Sequence, residues 1–148
     1  MELFKNCGTM KKQVKLIMDF PQVFFDELHK EFNFTLDPCA DDNNHKCEKY
    51  YTKEQDGLSQ KWGGTERIFC NPPYGREIGS WVRRCYLTNR TQGNLIVMLL
   101  PARTDTRWFH EYIYHKAEIR FVKGRLKFGD SNNSAPFPSM VVIFRKEF

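Results

Sequence analysis

Six consecutive apolar residues, Leu95-Ile96-Val97-Met98-Leu99-Leu100, follow the turn at Gln92-Gly93 and stop at Pro101. A strand with one face in water alternates apolar with polar positions, and a bilayer-spanning helix needs a far longer run. The segment is therefore expected as a strand covered on both faces, as in a parallel sheet between two layers of helix. The rest of the chain has to supply those layers.

The neighbouring segments fit that demand. Residues 21–31 are expected as a helix, with Asp19 placed to cap it, Pro21 suited to its first turn, and Phe24 and Leu28 on an apolar stripe. Phe34-Thr35-Leu36-Asp37 follows as a short strand running into Pro38, residues 39–49 form a polar loop rich in Asn and Asp, and Tyr50-Tyr51-Thr52 is a second, very short strand. Arg67-Ile68-Phe69-Cys70 is a third strand that halts at Asn71-Pro72-Pro73, because neither proline can donate to a ladder. Residues 80–89 read as a helix with Trp81, Val82, Cys85 and Tyr86 on one face. Beyond Pro101, Asp105 is placed to cap a helix whose stripe is Trp108, Phe109, Tyr112 and Ile113. Two closing strands, residues 117–128 and 140–144, bracket a loop at 129–138 dense in Ser, Asn and Pro. The alternation predicts an α/β fold with a mostly parallel sheet and an antiparallel C-terminal edge. With 148 residues and thirteen Phe the chain can fill one core but not two, so a single domain over residues 1–148 is expected, with residues 1–18 as a peripheral segment.

Charge and cysteine content narrow the setting. The 23 basic and 18 acidic side chains leave a net charge of +5, which favours a polyanionic partner. Five cysteines, an odd number without a C-x-x-C pair, fit reduced thiols in a cytoplasm better than a disulfide framework. Cys39, His45 and Cys47 match no common zinc spacing, and no metal is assigned. No apolar run is long enough to span a bilayer, and residues 1–15 lack the apolar core of a signal peptide, so the expectation is a cytoplasmic chain without a membrane partner.

The chemistry concentrates in Asn71-Pro72-Pro73-Tyr74, at the end of a strand, where ligands of open α/β sheets sit. An exocyclic amine such as that of adenine is a poor nucleophile, because its lone pair is delocalised into the ring. An Asn side-chain oxygen and the adjacent proline carbonyl can each accept one N–H, which draws the nitrogen toward tetrahedral geometry and aims its lone pair at an electrophilic methyl. Successive prolines stiffen this segment, and the flat ring of Tyr74 suits a base swung out of a duplex. The plain alternative is a rigid strand-ending turn.

Several further motifs stand in order around the tetrad: Phe34-Thr35-Leu36-Asp37-Pro38-Cys39-Ala40, then Tyr50-Tyr51-Thr52 with Asp56-Gly57-Leu58 and Trp62, and Phe69-Cys70 running into the tetrad and Gly75. Downstream come Leu100-Pro101-Ala102-Arg103-Thr104-Asp105-Thr106 with Trp108-Phe109-His110, Lys123-Gly124-Arg125-Leu126-Lys127-Phe128-Gly129, and Ala135-Pro136-Phe137-Pro138-Ser139. With these the chain resembles the phage-type, Dam-like DNA N6-adenine methyltransferases over nearly everything after Pro21. The resemblance implies a Rossmann-like methyltransferase domain using S-adenosylmethionine, in a chain encoded by a phage or prophage. It implies catalysis at Asn71, Pro72, Pro73 and Tyr74. It also implies cofactor binding by Pro21 and by Asp37, Pro38, Cys39 and Ala40, with Asp56 near the cofactor's adenine amino group. Where nucleotide-binding turns often carry glycines, this chain has Cys39-Ala40-Asp41-Asp42, and where related enzymes often carry a Thr before the first helix it has Phe20.

Arg120, Lys123, Arg125 and Lys127 fall within eight residues without an acid, and the last three share a face if extended. Such a set serves either as a phosphate track or as a solvated edge strand. Gly75 and Arg76, directly after the tetrad, and Arg103, after the long strand, complete the expected contacts to DNA. Three functions stay open: methyl transfer to adenine N6 in DNA; the same chemistry on RNA or a protein glutamine amide; and a DNA-binding relative without cofactor. Base specificity must come from loops such as residues 75–80 and 129–138 or from a second subunit, which admits a homodimer.

Overall fold

The computed structural model describes residues 20–126 and 137–146, with side chains from Gln22 onward. Lys127, most of the expected 129–138 loop and the N-terminal segment lie outside the described residues. In chain order the elements are helix α1 (Phe20–Phe32), strands β1 (Leu36–Ala40) and β2 (Lys49–Thr52), a 3-10 turn (Gly57–Ser59), β3 (Ile68–Cys70), α2 (Ile78–Gln92), β4 (Ile96–Pro101), α3 (Arg107–Tyr112), β5 (Glu118–Phe121) and β6 (Ser139–Phe144).

The strands form one sheet in the order β2-β1-β3-β4-β6-β5. The first four run parallel, and β6 pairs antiparallel with both β4 and β5, which gives the expected antiparallel edge. Every residue of β4 is buried, as its unbroken apolar run requires, and successive residues feed opposite layers. Val97 and Leu99 pack with Phe24, Phe25 and Leu28 of α1, together with Phe69, Val141 and Ile143. Ile96, Met98 and Leu100 pack with Trp81, Val82 and Cys85 of α2 and Phe109 of α3, together with Cys70, Met140 and Val142.

Several local expectations need correction. β1 does not end at Asp37 but continues through Pro38 to Ala40. The strand tolerates a proline because its register with β2 shifts between Asp37 and Ala40, and its ladder with β3 contains only the pair Leu36 and Ile68, so no N–H is missed at Pro38. The connection from β1 to β2 is a loop without a helix, as expected, and spans residues 41–48. α3 is capped by Thr106, whose hydroxyl accepts from the Phe109 amide at 3.3 Å, and not by Asp105. The final pair of strands is shorter at its first member: β5 stops at Phe121, and Gly124 turns the chain at φ 79°.

Candidate active site

Strand order reverses between β1 and β3. From β1 the chain moves outward to β2, and it returns to β3 on the opposite side of β1. In an open α/β sheet that reversal opens a crevice beyond the carboxyl ends of the two strands. Asp37 to Ala40 form the upper part of β1, and Asn71 is the first residue past β3, so the two segments singled out in the sequence face the same crevice.

The tetrad leaves β3 as a braced turn. Pro72 is buried, Pro73 is exposed, and Asn71 and Tyr74 are half-buried between them and the body of the protein. The Tyr74 hydroxyl lies 3.1 Å from Asn71 Oδ1 and 3.2 Å from the Leu99 carbonyl oxygen on β4, and its one proton can serve either acceptor. The Tyr74 ring meets Phe137 edge-on, with centroids 5.2 Å apart, and the Arg103 guanidinium sits 5.8 Å from the Phe137 centroid. Burial raises the pKa of the Tyr74 hydroxyl, which keeps it a donor. Gly75 follows at φ 149°, a conformation that favours glycine, and Gly75 and Arg76 are both exposed.

The β1 side is organised by Asp37, whose carboxylate serves the chain itself. It accepts from the Cys39 amide at 3.3 Å and from the Lys46 amide at 2.9 Å, folding the connection back onto the strand. Lys46 Nζ then reaches Gln22 Oε1 at 2.5 Å, next to Pro21 in the first turn of α1. Burial pushes the Asp37 carboxyl up to about 6, against the opposing effect of those two amides. Cys39 and Ala40 remain half-buried at the crevice.

Asp56 arrives by a different route. It adopts a left-handed backbone at φ 55°, is exposed, and accepts from Ser59 Oγ at 2.6 Å. Gly57 packs so closely under β1 that a Cβ there would overlap the Pro38 carbonyl oxygen and touch Trp81. Arg84 of α2 locks this turn, donating to the Leu58 carbonyl at 2.6 Å and the Gln60 carbonyl at 2.8 Å while lying 4.1 Å from the Trp62 ring centroid. Trp62 Nε1 donates to the Gly57 carbonyl at 2.9 Å. Arg84 and Gly57 were not legible as site-shaping residues: an Arg on a helix and a Gly after Asp carry no signal until the contacts are known.

The tetrad thus leaves the end of β3 beside the end of β1, against which the Asp56-Gly57 turn is tightly packed. A sequence profile described as DNA N-6-adenine-methyltransferase (Dam) matches residues 8–148. The chain belongs to this Dam family. Among its relatives is the DNA N-6-adenine-methyltransferase of Haemophilus phage HP1, 30% identical over 145 aligned residues that cover 93% of this chain and 83% of the relative. The enzyme of the same description from Escherichia phage T1 is 36% identical over 93 residues, 63% of this chain but only 38% of that protein.

In this Dam-family chain the expected basic track is broken up. Arg120 is buried, and its guanidinium holds both oxygens of Glu31 at 2.7 Å and Glu118 at 2.9 Å, tying α1 to β5. It is thus a structural clamp unavailable to a phosphate. Lys123 and Arg125 are exposed but lie past the end of β5 on either side of the Gly124 turn, so they do not share a strand face, and Lys127 falls outside the described residues. Arg103 is exposed, with its guanidinium beside the Phe137 ring that meets Tyr74. No helix among the described residues is long and apolar enough to cross a membrane.

Proposed function

We propose that this chain transfers a methyl group from S-adenosylmethionine to N6 of an adenine flipped out of DNA. The observation that carries the proposal is the convergence of Asn71-Pro72-Pro73-Tyr74 and Asp37-Pro38-Cys39-Ala40 on one crevice where strand order reverses, in a member of the Dam family. The cofactor contributes an electrophilic methyl carried on a sulfonium. Its binding is assigned to Pro21 at the start of α1, to Pro38, Cys39 and Ala40 on the rim of β1, to Asp37 through the loop it shapes, and to Asp56, whose exposed carboxylate can accept from an adenine amino group. The fit rests on Gly57: with no side chain it seats the Asp56 turn directly against Pro38, so the two halves of the binding site are one rigid unit.

The protein's part in the chemistry is positioning. Asn71 Oδ1 and the Pro72 carbonyl each accept one hydrogen of the amine, localising its lone pair toward the methyl. The bound cofactor would supply the methyl for a new C–N bond as its C–S bond breaks, and the surplus proton would leave the nitrogen for water. No strong base is required. Burial helps in another way: it pushes the Cys39 thiol up to about 12 and raises Cys70 well above the ordinary thiol range, so neither offers a thiolate to compete for the methyl. Tyr74 provides the face for the base, and exposed Gly75, Arg76, Arg103, Lys123 and Arg125 are assigned to the DNA backbone.

The test is incubation with unmethylated DNA and labelled cofactor, followed by nucleoside analysis. N6-methyladenine is the expected product. Asn71→Ala is expected to bind cofactor normally and lose roughly 10²- to 10³-fold in rate, the scale for removing one preorganised polar contact to the reacting group. Methyl transfer only to RNA or to protein glutamine would replace the substrate assignment and leave the tetrad's role intact.

A further inference from the structure

Residues 102–106 join the carboxyl end of β4 to α3, and they carry Arg103 past the same end of the sheet from which the tetrad emerges. The backbone on either side of this arginine is fixed. The Arg103 amide donates to the Pro101 carbonyl at 2.8 Å, its carbonyl accepts from the Thr106 hydroxyl at 2.8 Å, and the Ala102 amide donates to the Pro138 carbonyl at 2.8 Å. A further tie comes from α3. His110, exposed on that helix, brings Nε2 to 2.7 Å from the Thr104 carbonyl oxygen, the next acceptor along the loop. A carbonyl can only accept, so Nε2 carries the proton. The imidazole is itself fixed in orientation, because Phe109 and Tyr114 flank it edge-on with centroids 5.3 Å and 5.7 Å away. At the far end of the Arg103 side chain the guanidinium lies 5.8 Å from the Phe137 centroid. The arginine is thus held at both ends, at its backbone by the closed loop and at its charge by an aromatic ring.

We infer that His110 is a positioning residue for DNA binding: its Nε2–H holds the Thr104 carbonyl so that the loop presents Arg103 to a backbone phosphate, while the imidazole itself touches neither base nor phosphate. This rests on the assignment of Arg103 to DNA in the function proposed above. With the tie removed, Arg103 keeps its charge but gains conformations, and the phosphate contact must offset the entropy of ordering them. The loss falls on DNA binding and spares the chemical step, because the tetrad is braced separately, through Tyr74 and the Leu99 carbonyl.

Three substitutions separate the bond from the ring. His110→Phe keeps a flat ring between Phe109 and Tyr114 and removes the donor, His110→Gln restores an amide N–H of similar reach and removes the ring, and Arg103→Ala removes the group being positioned. The measurements are steady-state methyl incorporation into duplex DNA, calorimetric titration with S-adenosylmethionine, and thermal melting, all on the full chain. His110→Phe is expected to raise KM for DNA about fivefold, the scale of one hydrogen bond, with kcat and cofactor affinity near wild type, and His110→Gln to recover most of that loss. In an Arg103→Ala background, His110→Phe is expected to raise KM by less than about twofold, because no guanidinium is left to position. A full fivefold rise in that background overturns the inference and makes His110 a direct contact. Wild-type KM in His110→Phe also overturns it, as does equal damage from Phe and Gln with a lowered melting temperature, which reduces His110 to packing. Unchanged KM in Arg103→Ala removes the arginine's role in DNA binding and the inference with it. A wild-type protein that transfers no methyl to any DNA defeats the underlying function instead, a result distinguishable because it needs no variant.

Discussion

Asp37 shows how a single side chain can carry opposite demands. Its carboxyl binds its proton up to about pH 6 in the fold, against 3.8 ordinarily, because burial disfavours the charged form. Between those values the folded state holds a proton that the unfolded chain has released, so this group's effect on stability worsens as pH rises from about 4 to 6. Above that it is a standing cost of about 3 kcal/mol. Asp37→Asn removes the charge but also exchanges one acceptor for a donor facing the amide of Cys39 or Lys46. The variant is expected to be less stable than wild type at pH 4, with the gap narrowing steadily up to pH 7; denaturant melts at a series of pH values check this, and a constant gap would refute it. The sequence marked Asp37 as important but for cofactor contact, since the two amides that claim its oxygens are visible only once residue 46 has folded back onto residue 37.

At the level of elements, the site depends on how the 3-10 turn is wedged between β1 and α2. Gly57 has no room for a methyl, so Gly57→Ala must displace either the Pro38 bulge or Trp81; a destabilisation of about 1–3 kcal/mol and a sharp loss of cofactor affinity are expected, read by thermal melting and calorimetry. Arg84→Ala leaves two carbonyls of the turn without their charged donor, at about 2 kcal/mol, and should weaken cofactor binding more than DNA binding. A filter-binding assay against the calorimetric value separates the two. Elements with strong local signals were legible: β4 from its unbroken apolar run, β3 from its abrupt stop at two prolines, and α2 from the spacing of Trp81, Val82 and Cys85. Those fixed by distant partners were not. Pro38 read as a strand terminus because the register shift that accommodates it involves β2, and Arg120 read as part of either a phosphate track or a solvated edge because Glu31 lies 89 residues away in sequence.

Across the whole molecule, the net charge of +5 matters through where it is displayed. Arg76 and Arg103 are exposed at the carboxyl edge of the sheet, while Lys123 and Arg125 extend the basic surface past β5. If all four meet phosphates, log Kd for DNA should change with log salt with a slope of magnitude about 3 to 4, and each Ala substitution should lower it by about one. Arg120→Ala should leave that slope untouched and lower the melting temperature instead. The global plan, an α/β layer with an antiparallel edge and a tetrad at a strand end, followed from periodicity and prolines; the strand order that unites β1 with β3 required the fold. Within that plan one contact shapes how the enzyme meets its substrate. The Tyr74 hydroxyl stands within reach of both the Asn71 oxygen and the Leu99 carbonyl, so its proton can swing to β4 and leave both lone pairs of Asn71 for a guest. Under the proposed chemistry that makes the phenol a swivelling latch: it holds the amide in place while the site is empty and costs little to turn away when an amine arrives.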